Sequence, residues 1–173
     1  MRALIAAALS LAIIPLASAQ QRQQLSYTTP PGAGKYEEQH AIAVGDVPGH
    51  QVRVFSLHSV NPQEAPVFDG VKVKEGWLRA MSDYTNLSGH VHGYVVDVME
   101  NGDKIFGRWE GLTQTTINPD GSKASEVWGV TTLTGGTGKF KGLRGTLHGS
   151  SKIDFKGSPL PSSPTVGEYW FEQ

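Results

Sequence analysis

Apolar and polar residues alternate in short runs from Lys35 onward, and turn-forming clusters separate the runs at intervals of about 8 to 15 residues. Period-two patterning in short segments marks half-buried strands, and this spacing predicts an all-β sandwich or barrel. Strands are expected at roughly 35–44, 50–60, 72–84, 88–100, 103–114, 123–134, 143–154 and 166–172. Eight strands suffice for a small closed barrel. The turns have clear chemistry. Asn101-Gly102 sits between two alternating runs and fits a two-residue hairpin, while Asn118-Pro119-Asp120-Gly121 and Gly45 to Gly49 supply two more turns. Asn61 to Phe68, with two prolines, reads as a longer crossing loop, and Lys156 to Pro164 as an irregular connection.

Alternation also sorts side chains by face. His90, His92, Tyr94, Val96 and Val98 share one face of the fourth strand, opposite Val91, Gly93, Val95, Asp97 and Met99. Phe106, Arg108 and Glu110 oppose Ile105, Gly107 and Trp109 on the fifth, and Glu126 and Trp128 oppose Val127 and Gly129 on the sixth. The short turn at 118–121 makes the fifth and sixth strands neighbours. An inward orientation of the first set then places Glu110 and Glu126 beside Trp128, with Phe106, Arg108, Tyr94 and His92 as the ligand-binding lining. Two shielded carboxylates would repel, so at least one is expected to hold its proton above the usual pKa of about 4.3 and to be a candidate acid or base. Arg108 and Trp109 argue oppositely at adjacent positions, and charged strand residues commonly face solvent. On the reverse assignment Trp109 and Ile105 line the interior.

Other motifs carry less. His90 and His92 are about 7 Å apart by strand rise, but no carboxylate follows on the same face at a ligating offset, so no metal site is expected. Gly136-Thr137-Gly138-Lys139-Phe140 lacks the Ser or Thr that follows the lysine of a phosphate loop, and strands flank it where a helix should follow. There is no cysteine and no Gly-x-Ser-x-Gly elbow.

Composition narrows the setting. Met1-Arg2, an apolar run from Ala3 to Leu16 and then Ala17-Ser18-Ala19 form a secretory signal over 1–19, with cleavage expected after Ala19 and a secreted or periplasmic product. Residues 20–34, polar and then rich in Pro and Gly, read as a flexible leader, and 35–173 as one domain. Without cysteine the apolar core must hold that domain alone. A net charge of -1 with no basic stripe argues against a nucleic-acid partner. No membrane insertion is expected after signal cleavage, since the faces are mixed and the chain ends in Gln173.

Thr131 to Ser150, TTLTGGTGKFKGLRGTLHGS, reads as two strands joined by a glycine corner. The run GGTGKFKGLRGT resembles the corresponding corner of allene oxide cyclases and plant dirigent proteins. The stretch from Gly93-Tyr94 through Arg108-Trp109-Glu110-Gly111 resembles small exported bacterial proteins with the same barrel. The resemblance implies an eight-stranded antiparallel closed barrel, allene oxide cyclase-like and calycin-type, often assembled as a homo-trimer. Allene oxide cyclases steer ring closure of a reactive hydrophobic epoxide mainly by shape, with a buried glutamate, and dirigent proteins direct phenoxy-radical coupling. The matching residues are scaffold. The expectation is an exported barrel that binds a small hydrophobic molecule or a partner without a cofactor. The alternative is a cofactor-free cyclase or isomerase using Glu110 or Glu126.

Overall fold

The computed structural model describes residues 21–60, 63–153 and 161–172, so the expected signal at 1–19 lies outside the described residues. The strands are β1 (Gln23–Thr29), β2 (Gly34–Ala43), β3 (His50–Ser59), β4 (Val67–Phe68), β5 (Val71–Thr85), β6 (Ser88–Met99), β7 (Lys104–Ile117), β8 (Lys123–Gly136), β9 (Leu143–Ile153) and β10 (Ser163–Phe171). They form one antiparallel sheet in the order β1-β10-β9-β8-β7-β6-β5-β3-β2, with the short β4 beside β5. The only helical element among the described residues is a 3-10 turn at Gly138–Phe140.

The eight strands that alternation predicts are present, with no end displaced by more than three residues. Two elements differ from expectation. Gln23–Thr29, read as part of a flexible leader, is β1, paired with β10 from Gln23 opposite Tyr169 to Thr29 opposite Ser163. Its polar sequence hides a period of two, in which Leu25 is buried in the core and Tyr27 packs against it. Within the expected crossing loop, β4 carries Phe68, which is almost wholly buried.

The sheet curls about one face. Leu25 of β1, Phe68 of β4, Val73 of β5, Met99 of β6, Ile105 of β7, Leu133 of β8, Leu143 and Leu147 of β9 and Tyr169 of β10 belong to a single core cluster. A flat sheet cannot bring strands from its edge and its middle into one cluster. No hydrogen-bonded ladder joins β1 to β2, so the sheet is not closed by hydrogen bonds. Register shifts at Tyr36/Glu38 in β2 and Val73/Glu75 in β5 mark bulges, each of which reverses which residue parity points inward.

The glycine corner closes the floor of this core. Gly135 has φ +144 and Gly138 φ +50, conformations that side chains rarely adopt. The 3-10 turn that follows inserts Phe140, which has no exposed surface, beneath Met99, Ile105 and Leu133. The Thr137 hydroxyl accepts from Lys104 N at 2.8 Å, and the Asp103 carboxylate accepts from Lys139 N at 3.0 Å, tying the corner to the β6–β7 hairpin.

The opposite rim is held by a histidine clasp. His50 bridges Asp46 in the β2–β3 turn, Nδ1 to Oδ1 at 2.6 Å, and Asp83 near the end of β5, Nε2 to Oδ1 at 2.8 Å. Hydrogen bonds to Asp83 and then Asp46 raise the pKa of His50, and the bond from His50 lowers that of Asp46. A raised histidine stabilises fully below its unfolded value of about 6.5 and loses that stabilisation as pH rises through its folded value. A lowered aspartate behaves oppositely and loses its contribution as pH falls. The clasp is therefore tightest in mildly acidic solution. In an NMR titration His50 is expected to show a midpoint above 6.5, with amide exchange in the 44–49 turn rising as it deprotonates. An ordinary midpoint would show the clasp does not form in solution.

Candidate functional site

The curled face holds two adjoining chambers. The upper one, about 440 Å³, opens at the rim and is lined by β2, β3 and β5 through β9. Its volume lies in the range of small-molecule pockets. Phe55 and Val91 form its buried wall, in a cluster with Ala80, and Tyr36, Leu57, Leu78, Tyr84 and Trp109 pack against that cluster. The lower one, about 220 Å³, shares Trp109, Val127 and Ser151 with the upper and is bounded by Tyr27, Asp97, Thr131 and Thr165. Trp109 is the partition between them.

Two glycines explain how so large a ring fits. A Cβ at Gly129 would lie 2.5 Å from Trp109 Cε2 and Cζ2, and one at Gly111 would collide with the same ring. The indole thus lies flat over positions on β7 and β8 that carry no side chain. Leu87, also lining the upper chamber, holds φ +67 in the β5–β6 turn, where the Thr115 hydroxyl donates to its carbonyl at 2.8 Å. An apolar residue in that conformation costs about 1 kcal/mol or more. The cost is accepted where the side chain borders the mouth.

The polar groups of the upper chamber are few. Tyr84 Oη and Thr113 Oγ1 are 2.6 Å apart, and Thr115 Oγ1 and Ser125 Oγ are 2.5 Å apart, so these hydroxyls satisfy one another. The Ser82 hydroxyl, 1% exposed, has no partner among the described residues. Arg53 is the chamber's cation. Its guanidinium lies 4.6 Å from the Phe55 ring centroid and 5.4 Å from that of Tyr36, and Nη1 donates to Gln39 Oε1 at 3.1 Å. Its Nε is buried and unpartnered, and among the described residues no carboxylate lies within ion-pair distance.

In the lower chamber, burial raises the Asp97 carboxyl to about 7. Tyr27 is pushed up to about 12 by burial and then by Asp97, while Thr165 hydrogen-bonds its oxygen. Asp97 keeps part of its surface accessible because it borders cavities on both sides, the second a space of about 80 Å³ reaching Ser59 and Gly76.

The inward orientation expected for Glu110, Glu126 and their aromatic neighbours is reversed. Met99, Ile105, Leu133 and Trp109 are the side chains that fill the interior, and on period-two strands their burial sends the opposite parity outward. Glu110 is exposed, and Glu126 pairs with Lys152 Nζ at 3.0 Å on the outer surface. The two do not meet across the ladder: Glu110 faces Val130 and Glu126 faces Gln114. Trp128 is 43% and Tyr94 66% exposed. His92 lies opposite Glu110, Tyr94 opposite Arg108, and Phe106 opposite Val96, all on the convex face. Trp128 and Glu110 instead border a shallow outer groove with Val130, His148, Pro164 and Val166. The reverse assignment, with Trp109 and Ile105 inside, is the observed one.

Arg53 and Asp97 were not singled out by sequence. A usable signal existed, because Gly93, Gly107, Gly111, Gly129, Gly145 and Gly149 share parity with Trp109, and several of these would bring a Cβ into neighbouring atoms of the interior. Asp97, the lone acid among Val95, Val96 and Val98, lies on that same side. Among the described residues no group of three His, Asp or Glu gathers to hold a metal ion, and no helix is long and apolar enough to cross a membrane. Comparisons with protein-family models, curated proteins and solved structures return no match.

Proposed function

We propose that this chain is an exported binding protein whose upper chamber holds a small, largely apolar molecule carrying one anionic group, with Arg53 as its counter-ion. The observation that carries this reading is the Arg53 guanidinium, set beside aromatic rings with a buried Nε that has no partner and, among the described residues, no carboxylate at ion-pair distance. A half-buried guanidinium whose Nε lacks an acceptor and whose charge lacks a counter-ion is under-satisfied, and a bound anion supplies both. The apolar wall around it supplies affinity through burial, and the planar fork gives orientation. The reading takes the curled sheet as a closed barrel of the allene oxide cyclase type, with its β1–β2 seam sealed by packing. Supporting this, Leu25 of β1 shares the core with Val73 of β5, and Tyr27 and Thr29 of β1 border the same small cavity as Ser59 of β3.

Two naphthalene dyes of similar shape test it: the anion 1-anilinonaphthalene-8-sulfonate and the neutral N-phenyl-1-naphthylamine. One-to-one binding of the anion is expected, weakened about 10- to 100-fold by Arg53→Gln, as for loss of a charge-assisted contact, with the neutral dye little affected. Equal affinity of both proteins for the anion would defeat the assignment.

A second reading, a cofactor-free cyclase or isomerase, is favoured by Asp97 alone. It is an inward carboxyl that borders a cavity, the feature such chemistry needs, and under this reading it replaces Glu110 and Glu126 as the candidate acid or base.

A further inference from the structure

We propose that the lower chamber is a second site, one that takes the uncharged carbonyl oxygen of a small ketone, with Asp97 and Tyr27 as its two O–H donors. The proposal shares the interior with the upper-chamber reading but does not depend on Arg53, so the two can fail separately. Asp97 and Tyr27 stand on opposite sides of the curled sheet, β6 and β1, yet border the same two cavities and interact electrostatically. Gly76, directly across the ladder from Asp97, leaves room for the carboxyl, since a Cβ there would come within 2.8 Å of Oδ1. The remaining lining of the lower chamber consists of apolar side chains, glycines and the hydroxyls of Thr29, Thr131, Ser151 and Thr165, among others.

The charge balance selects the ligand. Among the described residues, besides Tyr27 on β1 and Asp97 itself on β6, the ionisable groups bordering these spaces are Lys74 and Glu75 on β5, at the smaller cavity. Lys74 is exposed, and Glu75 accepts from His58 Nε2 at 2.8 Å. The groups contributed from β3, β7, β8, β9 and β10 are uncharged. Among the described residues no cation forms an ion pair with Asp97, and burial keeps its proton on up to about pH 7. Tyr27 keeps its own proton throughout the working range. Bringing a cation into this space would require desolvating two charges, whereas a neutral oxygen accepting two hydrogen bonds requires neither. A phenol beside a protonated carboxylic acid is an established donor pair for carbonyl and enolate oxygens.

The probe is cyclohexanone labelled with ¹³C at the carbonyl, titrated into the mature protein between pH 5.5 and 8.5, with cyclohexylamine as the cationic counterpart. The bound carbonyl resonance is expected to move downfield at pH 5.5. Affinity should be flat at low pH and fall toward tenfold per pH unit once Asp97 ionises. Asp97→Asn keeps a donor and is expected to flatten the profile, Tyr27→Phe to weaken binding about tenfold, and Arg53→Gln to leave ketone binding unchanged. A pH-independent ketone affinity, no carbonyl shift, or preferential binding of the amine that strengthens with pH would each overturn the proposal. If the anionic dye proves indifferent to Arg53 while the ketone follows this profile, only the upper-chamber reading fails.

Discussion

Gly136→Val is expected to lower the unfolding free energy by about 3 kcal/mol, a fall of roughly 6 to 12 °C in Tm for a chain of this size. The reason is steric and local. A Cβ at Gly136 would be driven into the Lys104 carbonyl and would come within 2.6 Å of Phe140 Cβ and 3.0 Å of Phe140 O. These are backbone atoms, or atoms bonded to backbone, so no rotamer change relieves the clash. Phe140 is the floor of the core, and displacing it uncovers Met99, Ile105 and Leu133 together. Gly102→Ala is the comparison. It has φ +86 but nothing within 4 Å of the added carbon, so only conformational strain of about 1 kcal/mol is expected. Urea unfolding of both variants checks the ranking. Equal stabilities would show that the corner is looser than drawn.

Trp109→Ala is expected to cost about 3 kcal/mol, the lower end for a large aromatic because the ring is only half-buried. The effect reaches beyond stability, since removing the partition joins the two chambers. Gly129→Ala should destabilise the native protein, its new carbon meeting the indole, and be nearly neutral once Trp109 is alanine. A double-mutant cycle between them is therefore expected to be non-additive by about 1 kcal/mol or more. Additive losses would mean the ring does not rest on that glycine.

Strand content was legible because a half-buried sheet writes its period into the chain: turns such as Asn101-Gly102 and the corner at Gly135 to Gly138 carried enough chemistry to set most boundaries. β1 was not legible. A strand of seven residues with Leu25 and Tyr27 as its only large apolar side chains looks like a leader until its distant partner, Ser163 to Tyr169, is in place. The site was legible only as a pair of alternatives, because parity divides residues into two faces without saying which is inward. Arg108 and Trp109, at adjacent positions, argued for opposite faces. The outcome was decided by space, since Gly111 and Gly129 leave a hollow that only the indole fills. Arg53 escaped notice because an arginine in an alternating strand is ordinarily solvent-facing; it faces inward here because Phe55 and Leu57, two and four residues on, are interior residues on the same strand.

The strand order has a consequence in time. From β5 through β10 each strand lies beside its predecessor, so these hairpins can form as soon as their own residues are available, without waiting for distant chain. β1 has no such neighbour. It docks only on β10, where the Tyr169 hydroxyl donates to Gln23 Oε1 across 146 positions of sequence, and closing so long a loop is the step with the greatest entropic cost. Of the described strands, the one nearest the N-terminus is thus among the last to find its place, and Tyr27, one of the two donors of the lower chamber, arrives with it.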